Sequence, residues 1–216
     1  MDLFSELDAI HREVALDEVE GDTVRVLLRR RYPTAPEDLW SALTEPDRVV
    51  RWFLPLHGDL REGGSFQLEG NSGGDIRTCT PPRLLRVTFG HETSVVELRL
   101  AAEGEDTVLE LEHTVPVAMA GSAAGALFVG PGWDGALMGL GLFVRGEAVG
   151  DPVAAAGSPE VIEFNRGSID RWVAAAEASG AATAEEIEGG RQAALAQFVP
   201  GAGRLSHAGP ATPTDA

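Results

Sequence analysis

The sequence predicts an α+β fold: a curved antiparallel sheet of about seven strands around one long helix, followed by a C-terminal helical extension. Three observations carry this expectation. Runs of alternating apolar and polar residues recur between residues 23 and 116, separated by turns rich in Gly, Asn and Pro. A long apolar segment follows, in which Trp133, Leu137, Leu140 and Val144 fall on one helical face. Two helical segments with start signals lie beyond residue 150.

The elements follow in order. Residues 1–22 read as an acidic amphipathic helix, with Leu3, Leu7, Ile10 and Val14 on one stripe. In TVRVLLRRRY, Val24, Val26 and Leu28 alternate with Arg25 and Arg29, the pattern of a half-buried strand. Pro36, followed by Glu37 and Asp38, suits the first turn of a helix, where the missing proline N–H costs nothing and acids meet a positive pole. Thr44 to Asp47 breaks that helix and starts a second short one ending near Trp52 and Phe53. Gly63-Gly64 turns into SFQLEG, which holds Phe66, and Asn71 to Gly74 forms a hairpin turn into DIRTCT, which Pro81-Pro82 ends. RLLRVTF, SVVELRL and DTVLELEHTV are three further strands, divided at Gly90 and Gly104. On the last, Leu109, Leu111, His113 and Val115 share a face while Glu110 and Glu112 point the other way.

The long helix is expected over Asp134–Val149, with Trp133 opening it after Gly130-Pro131-Gly132. The folded ligand-binding domain thus spans 23–150, and a two-helix extension spans 151–200. Ser158-Pro159-Glu160 caps the first helix of the extension, which runs to Gly180. A capping box at Thr183–Glu186 starts the second, which carries Ile187, Leu195 and Phe198. Residues 201–216 show no pattern and are expected to be disordered.

Composition narrows the function. Among 216 residues, 34 acidic side chains stand against 17 basic ones, all Arg, for a net charge of −17. Such a surface repels phosphate backbones and anionic lipid, so nucleic-acid partners are not expected. Cys79 is the only cysteine, which rules out an internal disulfide and a thiolate metal cluster. Thr114–Trp133 is uncharged and of spanning length, but its glycines and prolines argue against a membrane helix. The acidic N-terminal segment lacks the basic start of an export leader, and a cytoplasmic protein is expected. His11, His57, His91, His113 and His207 are scattered without metal-ligand spacing, and the glycine clusters lack the Lys of a phosphate loop. No metal or cofactor is therefore expected.

A family likeness lies in YPTAPEDLWSALTEPDRVVRWFLP, GDLREGGSFQLEG, PPRLLRVTF, LELEHT and GPGWDGALMGL, which occur in that order over roughly residues 14–150. The chain resembles the activator of heat-shock-protein-90 ATPase homologue-like family, within the START-like or SRPBCC superfamily. The resemblance implies a helix-grip fold and a hydrophobic cavity, and its added helices are similar to those of bacterial members with a helical extension. That superfamily includes lipid carriers, hormone receptors, polyketide cyclases and aromatases, so fold alone leaves the activity open.

A curved sheet closed by a helix tends to enclose an apolar cavity. The candidate lining is Trp52, Phe53, Phe66, Phe89, Leu98, Leu111, His113, Trp133, Leu137 and Leu140, and the expected partner is a small apolar ligand. His113 reads either as a core histidine satisfied by a backbone group or hydroxyl, or as an acid or base facing a ligand. The second reading would make the protein a cyclase- or aromatase-like enzyme. A third makes it a protein-interaction module whose acidic surface docks a basic partner, and a homodimer is a separate open alternative. Arg77 and Glu97 read as a solvated outer face, and Cys79 as a small buried residue.

Overall fold

Antiparallel pairing organises most of the chain. The computed structural model describes residues 3–17, 22–147, 149, 154 and 157–199. Among the described residues, eight strands form one sheet: β1 (Ile10–Asp17), β2 (Thr23–Tyr32), β3 (Leu56–Gly58), β4 (Ser65–Leu68), β5 (Gly73–Thr80), β6 (Leu84–Thr88), β7 (Val95–Glu103) and β8 (Asp106–Pro116). Their spatial order is β1-β2-β8-β7-β6-β5-β4-β3, so the crossover from β2 to β8 places the last strand at the centre. Register fixes what faces inward. Leu111 of β8 stands between Leu28 of β2 and Leu98 of β7, and His113 stands between Val26 and Val96.

The short helices α1 (Leu3–Asp8), α2 (Pro36–Thr44), α3 (Pro46–Val49) and α4 (Val117–Ala120) precede a 3₁₀ turn at Ala123–Gly125 and the long helix α5 (Ala126–Val144). Two more follow, α6 (Pro159–Ser179) and α7 (Ala184–Phe198). The α6 start is capped by Ser158 Oγ, which accepts from the Val161 N–H at 3.2 Å, and the chain leaves the helix through Gly180 at φ 65°. The Thr183–Glu186 capping box forms in full.

Two expectations need correction. The helix expected over residues 1–22 is only α1, and from Ile10 the chain becomes β1, the strand that takes the sheet beyond seven. Ile10 and Val14 lie four residues apart, a spacing that shares one face in a helix and in a strand alike. Continuous pairing of Ile10–Asp17 with β2 decides for the strand. The long helix begins at Ala126 rather than Trp133, and ends at Val144 rather than Val149. Pro131 sits inside it and removes one helical donor. Burial of Ala126, Leu127 and Gly130 offsets that loss. The C-terminal helices pack over the domain: Ile169 and Trp172 of α6 and Ala194 of α7 join the same apolar core as the sheet. The tail 201–216 lies outside the described residues.

Gly130 shows how closely α6 approaches α5. A Cβ there would lie 2.4 Å from two ring atoms of Trp172, itself fully buried. Gly130→Ala is expected to destabilise the protein by about 1–3 kcal/mol, because an unyielding indole blocks the added methyl. Urea denaturation measures this, and an unchanged midpoint would show that the α5–α6 contact is looser than described.

The segment Ala123–Val144 is long and apolar enough to cross a membrane, but 56% of its most apolar window is buried within the protein. Asp134, ion-paired and fully buried, lies in the middle of it. These are the properties of the core helix of a soluble domain.

Candidate ligand cavity

Between the sheet and α5 lies an apolar cavity of about 120 Å³. Its floor comes from the inward rows of the central strands: Leu109 and Leu111 of β8, Val96 and Leu98 of β7, Leu85 and Val87 of β6. Its roof is one face of α5, formed by Trp133, Ala136, Leu137 and Leu140. The α2–α3 region contributes Leu43, Val49, Trp52 and Phe53, and the curled end of the sheet contributes Leu56, Leu60, Phe66, Leu68 and Phe89. Every lining residue is apolar or aromatic. Trp52 is anchored by its indole N–H, which donates to the Ala42 carbonyl at 3.0 Å, and its ring stacks on Phe53 at 5.3 Å.

Nine of the ten residues named from the sequence line this cavity. The exception is His113, which faces an adjoining groove of about 540 Å³ together with Phe128, Val129, Gln197 and Phe198. Cavity and groove meet at Phe53, Phe89 and Trp133. Around that boundary the rings form a cluster: Phe89 lies 5.2 Å from Trp133, 5.9 Å from His113 and 6.4 Å from Phe66.

The His113 ring is held at both nitrogens. Trp133 Nε1 donates to Nδ1 at 3.1 Å, and an indole nitrogen can only donate, so Nδ1 carries the lone pair. The proton of the neutral ring therefore sits on Nε2 and is donated to Ser94 Oγ at 2.9 Å. Burial lowers the His113 pKa from 6.5 to about 4. This is a core histidine satisfied by a neighbouring hydroxyl and an indole. Although Ser94 and His113 are close, the proton direction is the reverse of an activated serine, whose histidine must accept from the hydroxyl.

The outer sheet face carries charge. Arg77 is exposed and donates to the Glu92 carbonyl at 2.6 Å, while Glu97 pairs with Arg99 and Arg86. Cys79 is half-buried, and burial pushes its thiol up, away from the reactive thiolate. Among the described residues no three His, Cys, Asp or Glu side chains gather as a metal site would require.

Sequence reasoning missed a polar cluster behind α5. Arg12 of β1 donates through Nε to both oxygens of Asp134 at 3.0 Å, and Ser168 and Trp172 of α6 donate to Asp134 Oδ2 at 2.6 and 3.0 Å. Burial raises the Asp134 carboxyl above its ordinary value, while Arg12, Ser168 and Trp172 pull it down. A second such cluster joins Arg30, on the inward face of β2, to Glu6 of α1, which also accepts from Arg145 at 2.6 Å. Neither cluster opens into the cavity.

A curled antiparallel sheet gripping a long helix over an apolar chamber defines a START-like, helix-grip protein. The sequence model of the family described as activator of Hsp90 ATPase homolog 1-like protein matches residues 33–143, and the chain belongs to that family. Among solved structures, CalU16 from Micromonospora echinospora is 38% identical in its crystal form, with a TM-score of 0.64 over 78% of this chain and 98% of that one. Its solution structure matches equally, at 39% identity and a TM-score of 0.64 over 79% and 97%. EF2215 from Enterococcus faecalis, titled a conserved protein of unknown function, shares the fold at 18% identity and a TM-score of 0.60 over 82% and 95%. No curated protein matches the chain.

Proposed function

We propose that the protein is a binding module that holds a small apolar molecule, or a ring-sized apolar group of a larger one, between the sheet and α5. The observation that carries this reading is the lining: about 120 Å³ of space bounded only by apolar side chains. Water needs two to four polar partners to occupy such a space, and this one offers none. Water that enters from the open side gains no hydrogen bond from these walls, so an apolar guest displaces it favourably and adds dispersion contacts with the lining. Dry apolar cavities of about 150 Å³ take up benzene, which sets the scale of the guest.

Benzene is expected to bind with Kd on the order of 0.1–1 mM, and to raise stability by about 1.4 kcal/mol when present at ten times Kd. Ala136→Leu places an isobutyl group in the cavity and is expected to abolish that binding while leaving the fold as stable as before or more so. Calorimetry and thermal melting of both proteins check this. Equal benzene binding by the Ala136 variant would mean that the probe sits elsewhere.

A further inference from the structure

We propose that Trp133 sets the specificity of this cavity: its indole, pinned by His113, divides an apolar inner chamber that takes a single ring from a more polar outer groove. The inference rests on the reading of the chamber as a ligand site, and it goes further by naming what limits the guest.

The geometry singles out Trp133. Chamber and groove share three residues, Phe53, Phe89 and Trp133, and the groove's space exceeds the chamber's several-fold, about 540 against 120 Å³. What separates them is therefore a thin aromatic wall. Phe53 is committed to the α2–α3 side, stacked on Trp52. Phe89 packs against Trp133 at 5.2 Å with planes tilted by 50°. Trp133 alone of the three is fixed by a hydrogen bond, its N–H donating to His113 Nδ1. That acceptor is in turn oriented by the buried Ser94 hydroxyl at Nε2. On the groove side the wall has room to yield, because Trp133 itself borders the groove's open space, across from Phe128 and Phe198. An indole that lost its acceptor would have a place to turn. His113 is thus a positioning residue for the partition.

The expected guest is a molecule whose buried end is one six-membered or smaller apolar ring, with fused rings excluded. The test titrates the full chain and its variants with benzene and with naphthalene, and reads the ratio of the two affinities. Wild type is expected to favour benzene. Trp133→Leu, and Trp133→Ala where it folds, are expected to shift the ratio toward naphthalene by about tenfold or more. His113→Leu, which removes the acceptor and leaves the indole, is expected to shift it in the same direction but less. His113→Asn, whose Oδ1 takes the place of Nδ1, is expected to restore the wild-type ratio relative to His113→Leu. A merely structural role for either residue would lower both affinities together and leave the ratio unmoved.

Benzene binding by wild type with an unchanged ratio in the Trp133 variants would overturn the partition and leave the cavity reading intact. A wild type that takes naphthalene as well as benzene would overturn it too. Failure of every protein, wild type included, to bind benzene would overturn the cavity reading itself.

Discussion

Asp134→Ala is expected to cost about 3–5 kcal/mol, the largest loss of any substitution considered, and to leave the protein near the limit of folding. The carboxylate is fully buried and is approached only by donors: Arg12 Nε, Ser168 Oγ and Trp172 Nε1. Its removal strands the Arg12 guanidinium, whose side chain is 6% exposed, without a counter-charge. Arg12 keeps its bonds to the carbonyls of Leu7 and Ile10, but these are dipoles and do not neutralise it. The double variant Arg12→Met, Asp134→Ala removes the charge as well as its partner. It is expected to be more stable than Asp134→Ala alone. Urea denaturation of the three proteins measures this, and a double variant weaker than the single one would sink the account of a stranded charge.

Acidification supplies the second large effect. His113 has a pKa of about 4 in the folded protein, lowered by burial from 6.5, so between those values the unfolded chain binds more protons than the folded one. Stability is therefore complete above about pH 6.5 and is lost as pH falls toward 4, to a total of about 3 kcal/mol. Carboxylates titrate in the lower part of the same range, so the measurement is a difference. Melting temperatures of wild type and His113→Asn are followed from pH 7.5 to 4. The wild type is expected to lose more stability between pH 6.5 and 4.5, and parallel curves would contradict a buried neutral imidazole.

The sheet was legible where alternation is the only pattern the residues fit. Leu109, Leu111 and His113 face inward on β8, with Glu110 and Glu112 opposite, as period two requires. β1 was hidden because Ile10 and Val14 satisfy both periods, and only the partner strand distinguishes them. The start of α5 was hidden by Gly130-Pro131-Gly132, which local propensity reads as a break. Gly130 is required there by Trp172, a residue 42 positions on, and no local rule announces that. The cavity divides the same way. Its roof follows from the helical stripe of Trp133, Leu137 and Leu140, and part of its floor from the β7 and β8 alternation. Leu56 and Leu68 enter because the sheet curls, and a one-dimensional pattern carries no record of curvature. The Arg12–Asp134 pair spans 122 positions and was invisible for the same reason.

The contacts that α1 and β1 make with α6 bear on how the chain is made. Arg171 reaches Asp8 across 163 positions, and Asp134 must wait for Ser168 and Trp172 before its bonds are complete. A ribosome delivers β1 early and α6 late. Throughout that interval the back of α5 lacks the cover of α6, and Asp134 has only Arg12 as a partner. Fold closure is thus tied to the last stretch of synthesis, and contacts of such long sequence separation form slowly. A nascent chain halted near residue 150 would present α5 to the cell as an uncovered apolar helix.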